Sequence, residues 1–255
     1  MINDKDGLVK KVLSEIQAQT DIAVLGMSGG ADSTLVAILS AQALGRENVY
    51  AIHMPYDIDD NATFNAKSVE IANHLGINSK KIWIDIAVDF LSSEVGHLSQ
   101  LNMGNTKSRI RMVVLYSMAC RLGEETGKRV RVVGTDNLSE GYINYFTKHG
   151  DGACDFFPIG DLFKSEVYQL LDMFRDEGVI TNNMIDRIPS AGLWDSQTDQ
   201  NEIGYSYDEM EVSIRKLMSE KPPDTKIDND VNDMHVNGRH KSELIPIIGL
   251  RKFCD

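Results

Sequence analysis

"DIAVLGMSGGADST" (21–34) runs from an apolar stretch into a cluster of small and polar residues, and that junction decides how the chain is read. Ile22, Ala23, Val24 and Leu25 are uninterrupted by polar side chains, as in a strand covered on both faces. Beyond the glycines, Leu35, Ile38, Leu39 and Ala43 recur at helical spacing. Strand, glycine-rich turn and helix in succession open a β-α-β unit.

Three further apolar runs, "NVYAIHMP" (48–55), "KKIWIDI" (80–86) and "RVRVVGT" (129–135), predict three more strands. Ala66, Val69, Ala72 and Leu75 mark a helix between them. The alternation predicts an α/β fold, a doubly wound parallel sheet with flanking helices. Later helices are expected from about Thr106 to 127, over 161–178 and over 205–220. "KPPDTKIDNDVNDMHVNGRHK" (221–241), polar and broken by Pro222 and Pro223, is expected to be a mobile loop.

Composition narrows the function class. A hydrophobic fraction of 42% and a charged fraction of 25% suit a globular protein with a real core. The net charge of −12 argues against a protein that holds long nucleic acid by counterion release. Cys120, Cys154 and Cys254 form no CxxC pair and lack metal-ligand spacing. No stretch approaches the roughly 20 apolar residues of a membrane span. Leu8, Val12, Leu13 and Ile16 space the N-terminal segment as an amphipathic helix, unlike a signal peptide. A cytoplasmic protein is expected.

In an open parallel sheet, ligands bind beyond the carboxyl ends of the strands, where "GMSGGADST" stands. Glycines there let the backbone approach a phosphate, and the helix N-terminus offers free N–H groups. Ser28, Ser33 and Thr34 add hydroxyl donors, and Asp32 suits a magnesium ion held by phosphates. The alternative is a glycine turn capped by Ser or Asp, the better account of any lone Gly-Gly. GxxxxGK[ST] requires a lysine this loop lacks, and GxGxxG a different spacing. The pattern present is SGGxDS, which resembles the pyrophosphate loop of the N-type ATP pyrophosphatases. That resemblance leaves the substrate open among GMP synthetases, argininosuccinate synthetases, tRNA-thiolating enzymes and NAD synthetases.

Two downstream stretches carry substrate-binding character. In "GNTKSRIRM" (104–112), Asn105 and Arg109 share one helical stripe and Lys107 and Arg111 another. Two rows of donors suit a dinucleotide, although a solvated basic face is the simpler account of these residues alone. In 134–167, Glu140, Lys148, Asp151, Asp155, Asp161 and Lys164 crowd the region beyond the fourth strand. Carboxylates for a metal and ammonium groups for phosphate are what a magnesium-nucleotide site needs.

Together, "GMSGGADST", "GNTKSRIRM", "GTDNLSE", "FTKHGDG", "PIGDLFKSEV", "PSAGLWDSQTDQNEIGYSYDEM" and the late "RHK" resemble the NAD synthetase family, over about residues 21 to 241. The resemblance implies an adenine nucleotide alpha hydrolase-like, Rossmann-like fold and a single domain over 1–255. It implies a ligase that adenylates the nicotinate carboxylate of deamido-NAD with MgATP, after which ammonia displaces AMP to give NAD. The catalytic residues it implies are Asp32, Glu140 and Lys164, with Asp32 and Glu140 holding Mg2+. ATP would meet Gly26, Met27, Ser28, Gly29, Gly30, Ala31, Asp32, Ser33, Thr135, Lys164 and Ser190. Deamido-NAD would meet Arg109, Lys148, Asp155, His240 and Lys241, in a homodimer that binds neither nucleic acid nor membrane.

His149 stands where the family commonly has tyrosine, and Ala153 and Cys154 stand where a second glycine is frequent. Cys154 beside Asp155 has the look of a nucleophile, but the implied mechanism needs none. The residues before the first strand are too few for a glutamine-hydrolysing domain, so free ammonia, or ammonia received from a separate partner, is expected. Two other readings predict different things. A tRNA sulfur-transfer enzyme calls for a basic surface and paired cysteines, and an ATP-binding regulator for indifference to loss of Asp32 and Glu140.

Overall fold

A computed structural model describes residues 1–56, 62–185 and 198–246. Among them, strands β1 (Ile22–Gly26), β2 (Val49–His53), β3 (Asn78–Lys81) and β4 (Val130–Val132) form one parallel sheet in the order β3-β2-β1-β4. Ala23 stands opposite Val49 on one side and Arg131 on the other. The chain moves outward from β1 to β3 and then returns to the opposite edge of β1. Strand order therefore reverses between β1 and β4, which opens a crevice at their carboxyl ends.

Ten α-helices surround the described sheet: α1 (Lys5–Gln19), α2 (Ala31–Leu44), α3 (Ala62–Leu75), α4 (Asp85–Val95), α5 (Gln100–Thr126), α6 (Leu138–Tyr142), α7 (Lys164–Asp176), α8 (Asp199–Ile203), α9 (Tyr207–Met218) and α10 (Lys226–Gly238). Alternation along β1 splits the core between the two faces of the sheet. Ala23 and Leu25 pack with Leu35 and Leu39 of α2 and Leu170 and Phe174 of α7. Ile22 and Val24 pack with Val88 of α4 and Met112, Leu115 and Met118 of α5. A third cluster, Ile143, Phe163, Ile203, Met210, Ile214 and Val231, joins α6, α8, α9 and α10 to the start of α7.

Three boundaries differ from the sequence expectation. The third strand ends at Lys81, with all four of its residues exposed. As an edge strand it is held by pairing with β2, while the apolar Ile84 turns inward ahead of α4. The long helix begins at Gln100, because the Ser99 side chain accepts from the Asn102 N–H and caps it. The loop expected over 221–241 contracts to the proline segment and a short turn at Arg239–Lys241, since α10 fills 226–238.

The cause of that last correction is local. Thr225 and Asp228 form a capping box directly after the prolines, and Val231 supplies a fully buried contact. Thr225→Ala should lower stability by about 0.5–2 kcal/mol, the usual worth of a side-chain N-cap. Urea unfolding measures it, and an unchanged midpoint would contradict a capped helix there.

Candidate active site

The glycine loop occupies the crevice between β1 and β4. Gly26 ends β1, and the Met27 N–H donates to the Ile52 carbonyl at 3.0 Å, tying the loop to β2. Gly29 has φ of +75°, and a Cβ there would stand 3.1 Å from the Ser68 nitrogen. Only glycine fits that backbone without strain. Ser28 Oγ lies 3.1 Å from Ser33 Oγ and accepts from the Gly30 N–H at 3.2 Å. Helix α2 then starts at Ala31 with no side-chain cap at Gly30, so its first N–H groups are available to an anion.

Lys164, the first residue of α7, meets this loop. Its side chain is 5% exposed, and Nζ bonds Asp32 Oδ2 and, at 3.1 Å, Glu140 Oε1. Asn137 donates through Nδ2 to Asp32 Oδ1 at 3.0 Å, while its Oδ1 accepts from the Glu140 N–H. The Tyr207 hydroxyl lies 2.9 Å from Glu140 Oε1 and 2.8 Å from Asp199 Oδ2. Asp32, Glu140 and Lys164 are thus brought together, with Asn137, Tyr207 and Asp199 around them. Those three were visible within "GTDNLSE" and "SQTDQNEIGYSY", but side-chain type alone gave no reason to single them out.

Burial and the surplus of carboxylates govern the charges. Burial raises Glu140 to about 7; Lys164 opposes the shift, and Asp32 and Asp199 add to it. Burial works against the Lys164 ammonium, but Asp32 and Glu140 outweigh it and hold that group above the ordinary lysine value. Asp136 is pushed well above the usual carboxylate range by burial, then by Asp151, Glu140 and Asp32. Among the described residues, no three His, Cys, Asp or Glu side chains gather into a metal cage. Asp32 and Glu140 offer hard carboxylate oxygens, both bonded to Lys164 Nζ here, and so small a donor set fits an ion that takes most of its ligands from water and phosphate, as Mg2+ does.

A second group lies toward α5 and α10. Arg109 Nε donates to the Lys148 carbonyl at 3.2 Å, and Lys148 Nζ donates to the His240 carbonyl. Lys241 Nζ donates to the carbonyls of Asn144 and Phe146, at 3.0 and 2.9 Å. Arg109, Lys148, His240 and Lys241 therefore form one connected patch. Asp155 is fastened elsewhere: its Oδ2 accepts from the Val132 N–H at 2.7 Å, and its Oδ1 faces Arg131. A cavity of about 620 Å³ opens beside Arg109, lined also by Met112, Val113, Tyr116 and His149.

Thr135 lies just beyond β4, and Ser190 falls outside the described residues. Gly150 is required where it stands, since a Cβ there would meet Ser108 Oγ at 2.2 Å. Asp151 Oδ1 accepts from Ser108 Oγ at 2.5 Å and from the Thr147 N–H at 3.1 Å, shaping the turn that carries Lys148. Burial pushes the Cys154 thiol up to about 12, which keeps it protonated and unsuited to nucleophilic attack.

A model of the family described as NAD synthase matches residues 1–243. The NH(3)-dependent NAD(+) synthetase of Archaeoglobus fulgidus is 37% identical over 235 residues, covering 89% of this chain and 88% of its own. The structure of an NMN synthetase from Francisella tularensis superimposes with a TM-score of 0.82 at 30% identity, over 98% of this chain and all of that one. An NH3-dependent NAD synthetase from Campylobacter jejuni, solved with a nitrate ion, gives 0.78 at 29% identity, over 96% of this chain and all of its own.

The raised Glu140 carries a sign. Its folded value, about 7, lies above its ordinary 4.5, so the folded protein binds this proton more tightly than the unfolded chain. Its stabilising contribution is full below about pH 4.5 and is lost as pH rises through about 7. The unfolding free energy of the ligand-free protein, minus that of Glu140→Gln, should therefore fall as pH rises across that window. A flat difference would contradict the buried, raised carboxyl.

Proposed function

The chain belongs to the NAD synthase family, and we infer that it makes NAD, AMP and pyrophosphate from deamido-NAD, ATP and ammonia. The observation that carries this reading is the buried Lys164, held against Asp32 and Glu140 beside an uncapped helix start.

In the first step, a nicotinate carboxylate oxygen attacks the α-phosphorus of ATP. The bond to the β-phosphate breaks, and its electron pair leaves with pyrophosphate. Gly29 and Ala31 would present backbone N–H groups to that leaving group, with Gly30, whose N–H donates to Ser28 Oγ, and the Ser28 and Ser33 hydroxyls beside them. Lys164 would balance the negative charge that develops there. Asp32 and Glu140 would hold Mg2+, whose bound charge neutralises the phosphates. Thr135 and Ser190 would complete the ATP contacts.

In the second step, ammonia attacks the acyl carbon, the carbon–oxygen bond to AMP breaks, and a proton is lost to give the amide. No protein nucleophile takes part, so this chain contributes orientation and charge stabilisation. Arg109, Lys148, His240 and Lys241 would hold the dinucleotide, with Asp155 bordering it from the β4 side.

A homodimer fits the same reading. Ile86, Phe90 and Val95 of α4 and Leu101 and Val113 of α5 are exposed apolar side chains, and Val113 also lines the cavity beside Arg109. A second copy over this face would bury them next to the dinucleotide. The free thiols Cys120 and Cys154 fit a reducing cytoplasm, and no described helix is long and apolar enough to cross a membrane. Any closure by 221–241 would be a movement of α10 as a unit, and equal protease cleavage with and without substrates would count against it.

The likeness to an NMN synthetase favours one second reading, amidation of nicotinate mononucleotide. Steady-state assays with MgATP and ammonium decide between the two acids. We expect NAD and AMP in equal amounts, with higher kcat/KM for the dinucleotide than for the mononucleotide. Lys164→Ala should lower kcat by about 100–1,000-fold, as loss of a transition-state charge partner does. Arg109→Ala should instead raise KM for deamido-NAD. Absence of both AMP and amide product from the native protein would refute the assignment.

A further inference from the structure

Glu211 lies on α9 and is 5% exposed. Its Oε1 accepts from Ser139 Oγ at 2.9 Å and from the Ser165 N–H at 3.0 Å, and its Oε2 accepts from Ser165 Oγ. Ser139 Oγ in turn accepts from the Lys164 N–H at 3.0 Å. Ser139 immediately precedes Glu140, and Ser165 immediately follows Lys164. One buried side chain from a third element thus joins the neighbours of both groups that face each other in the site.

The arrangement answers a local difficulty. Helix α7 starts at Lys164, and the residue at its cap position, Phe163, has no side-chain acceptor for the orphan N–H groups of the first turn. Ser139 serves the Lys164 N–H and Glu211 serves the Ser165 N–H, so the cap of α7 is supplied from α6 and α9. A carboxylate at a helix N-terminus is also favoured by the helix dipole. Because Lys164 is itself the first helical residue, whatever fixes this turn fixes the root of its side chain.

We propose that Glu211 is a positioning residue for pyrophosphate departure, holding α6 and α7 so that Glu140 and Lys164 meet at Asp32. The proposal rests on the NAD synthase reading of the site. It assigns Glu211 no contact with substrate, and it separates the residue from ordinary core packing by its effect on kcat.

The test compares Glu211→Ala, Glu211→Gln and Ser165→Ala with the native protein in steady-state amidation and in thermal melts with and without MgATP. Glu211→Ala should lose about 10–100-fold in kcat, the usual cost of removing a side chain that orients a metal or charge site. Its KM for deamido-NAD should not change, and its stabilisation by MgATP should shrink. Glu211→Gln keeps an acceptor of the same reach and should recover most of the loss. Ser165→Ala removes one of the contacts and should fall between the two.

A lower melting temperature with unchanged kcat and unchanged MgATP stabilisation would overturn the proposal, as would a Gln variant no better than Ala. If Glu211→Ala does not fold, the other two variants decide, and native kcat in both overturns it. Failure of the native protein to amidate would instead strike the underlying reading, while the MgATP melts would still report on Glu211.

Discussion

The site depends on one buried cation. Lys164 is 5% exposed, and an ammonium at that depth persists only if other groups replace its lost hydration. Asp32 and Glu140 do so, and each belongs to a different part of the chain. Asp32 is in the first turn of α2, Glu140 in the first turn of α6, and Lys164 begins α7. The ion pairs hold three helix starts in one place, at the carboxyl ends of β1 and β4.

That place follows from the sheet. β1 carries apolar side chains on both faces, so helices must cover both, and the order β3-β2-β1-β4 leaves the crevice only where the direction of winding reverses. The third cluster, under α8, α9 and α10, supports the far wall of the crevice and carries Tyr207 into contact with Glu140. Carboxyl groups crowd there: Asp32, Asp136, Glu140 and Asp199 surround one lysine, and burial and mutual repulsion hold Asp136, Glu140 and Asp199 above the ordinary carboxylate range. A further cation entering beside them would let more of these groups ionise, which is what a magnesium-bound triphosphate would bring under the proposed reaction.

Much of this architecture is legible in the sequence. The strands at β1, β2 and β4 were readable because each is an apolar run broken by turn residues, and the glycine loop because its motif sits at a strand end. β3 was misplaced since its exposed residues, Asn78 to Lys81, carry no apolar pattern and the pairing is made by backbone alone. α10 was hidden by the Pro-Pro pair and by polar composition, with a capping box and one buried valine deciding its conformation. Lys164, Glu140 and Asp32 came from motif matches. Glu211 could not have, because its role depends on Ser139 and Ser165, which lie 72 and 46 residues away in sequence.

The central claim is that the nicotinate carboxylate is activated by taking the AMP moiety of ATP as pyrophosphate departs. Deamido-NAD carrying heavy oxygen in that carboxylate, turned over with MgATP and ammonium, tests this directly by mass spectrometry of the products. The account predicts one labelled oxygen in AMP and none in pyrophosphate. Label in pyrophosphate, or unlabelled AMP beside amidated product, would contradict it.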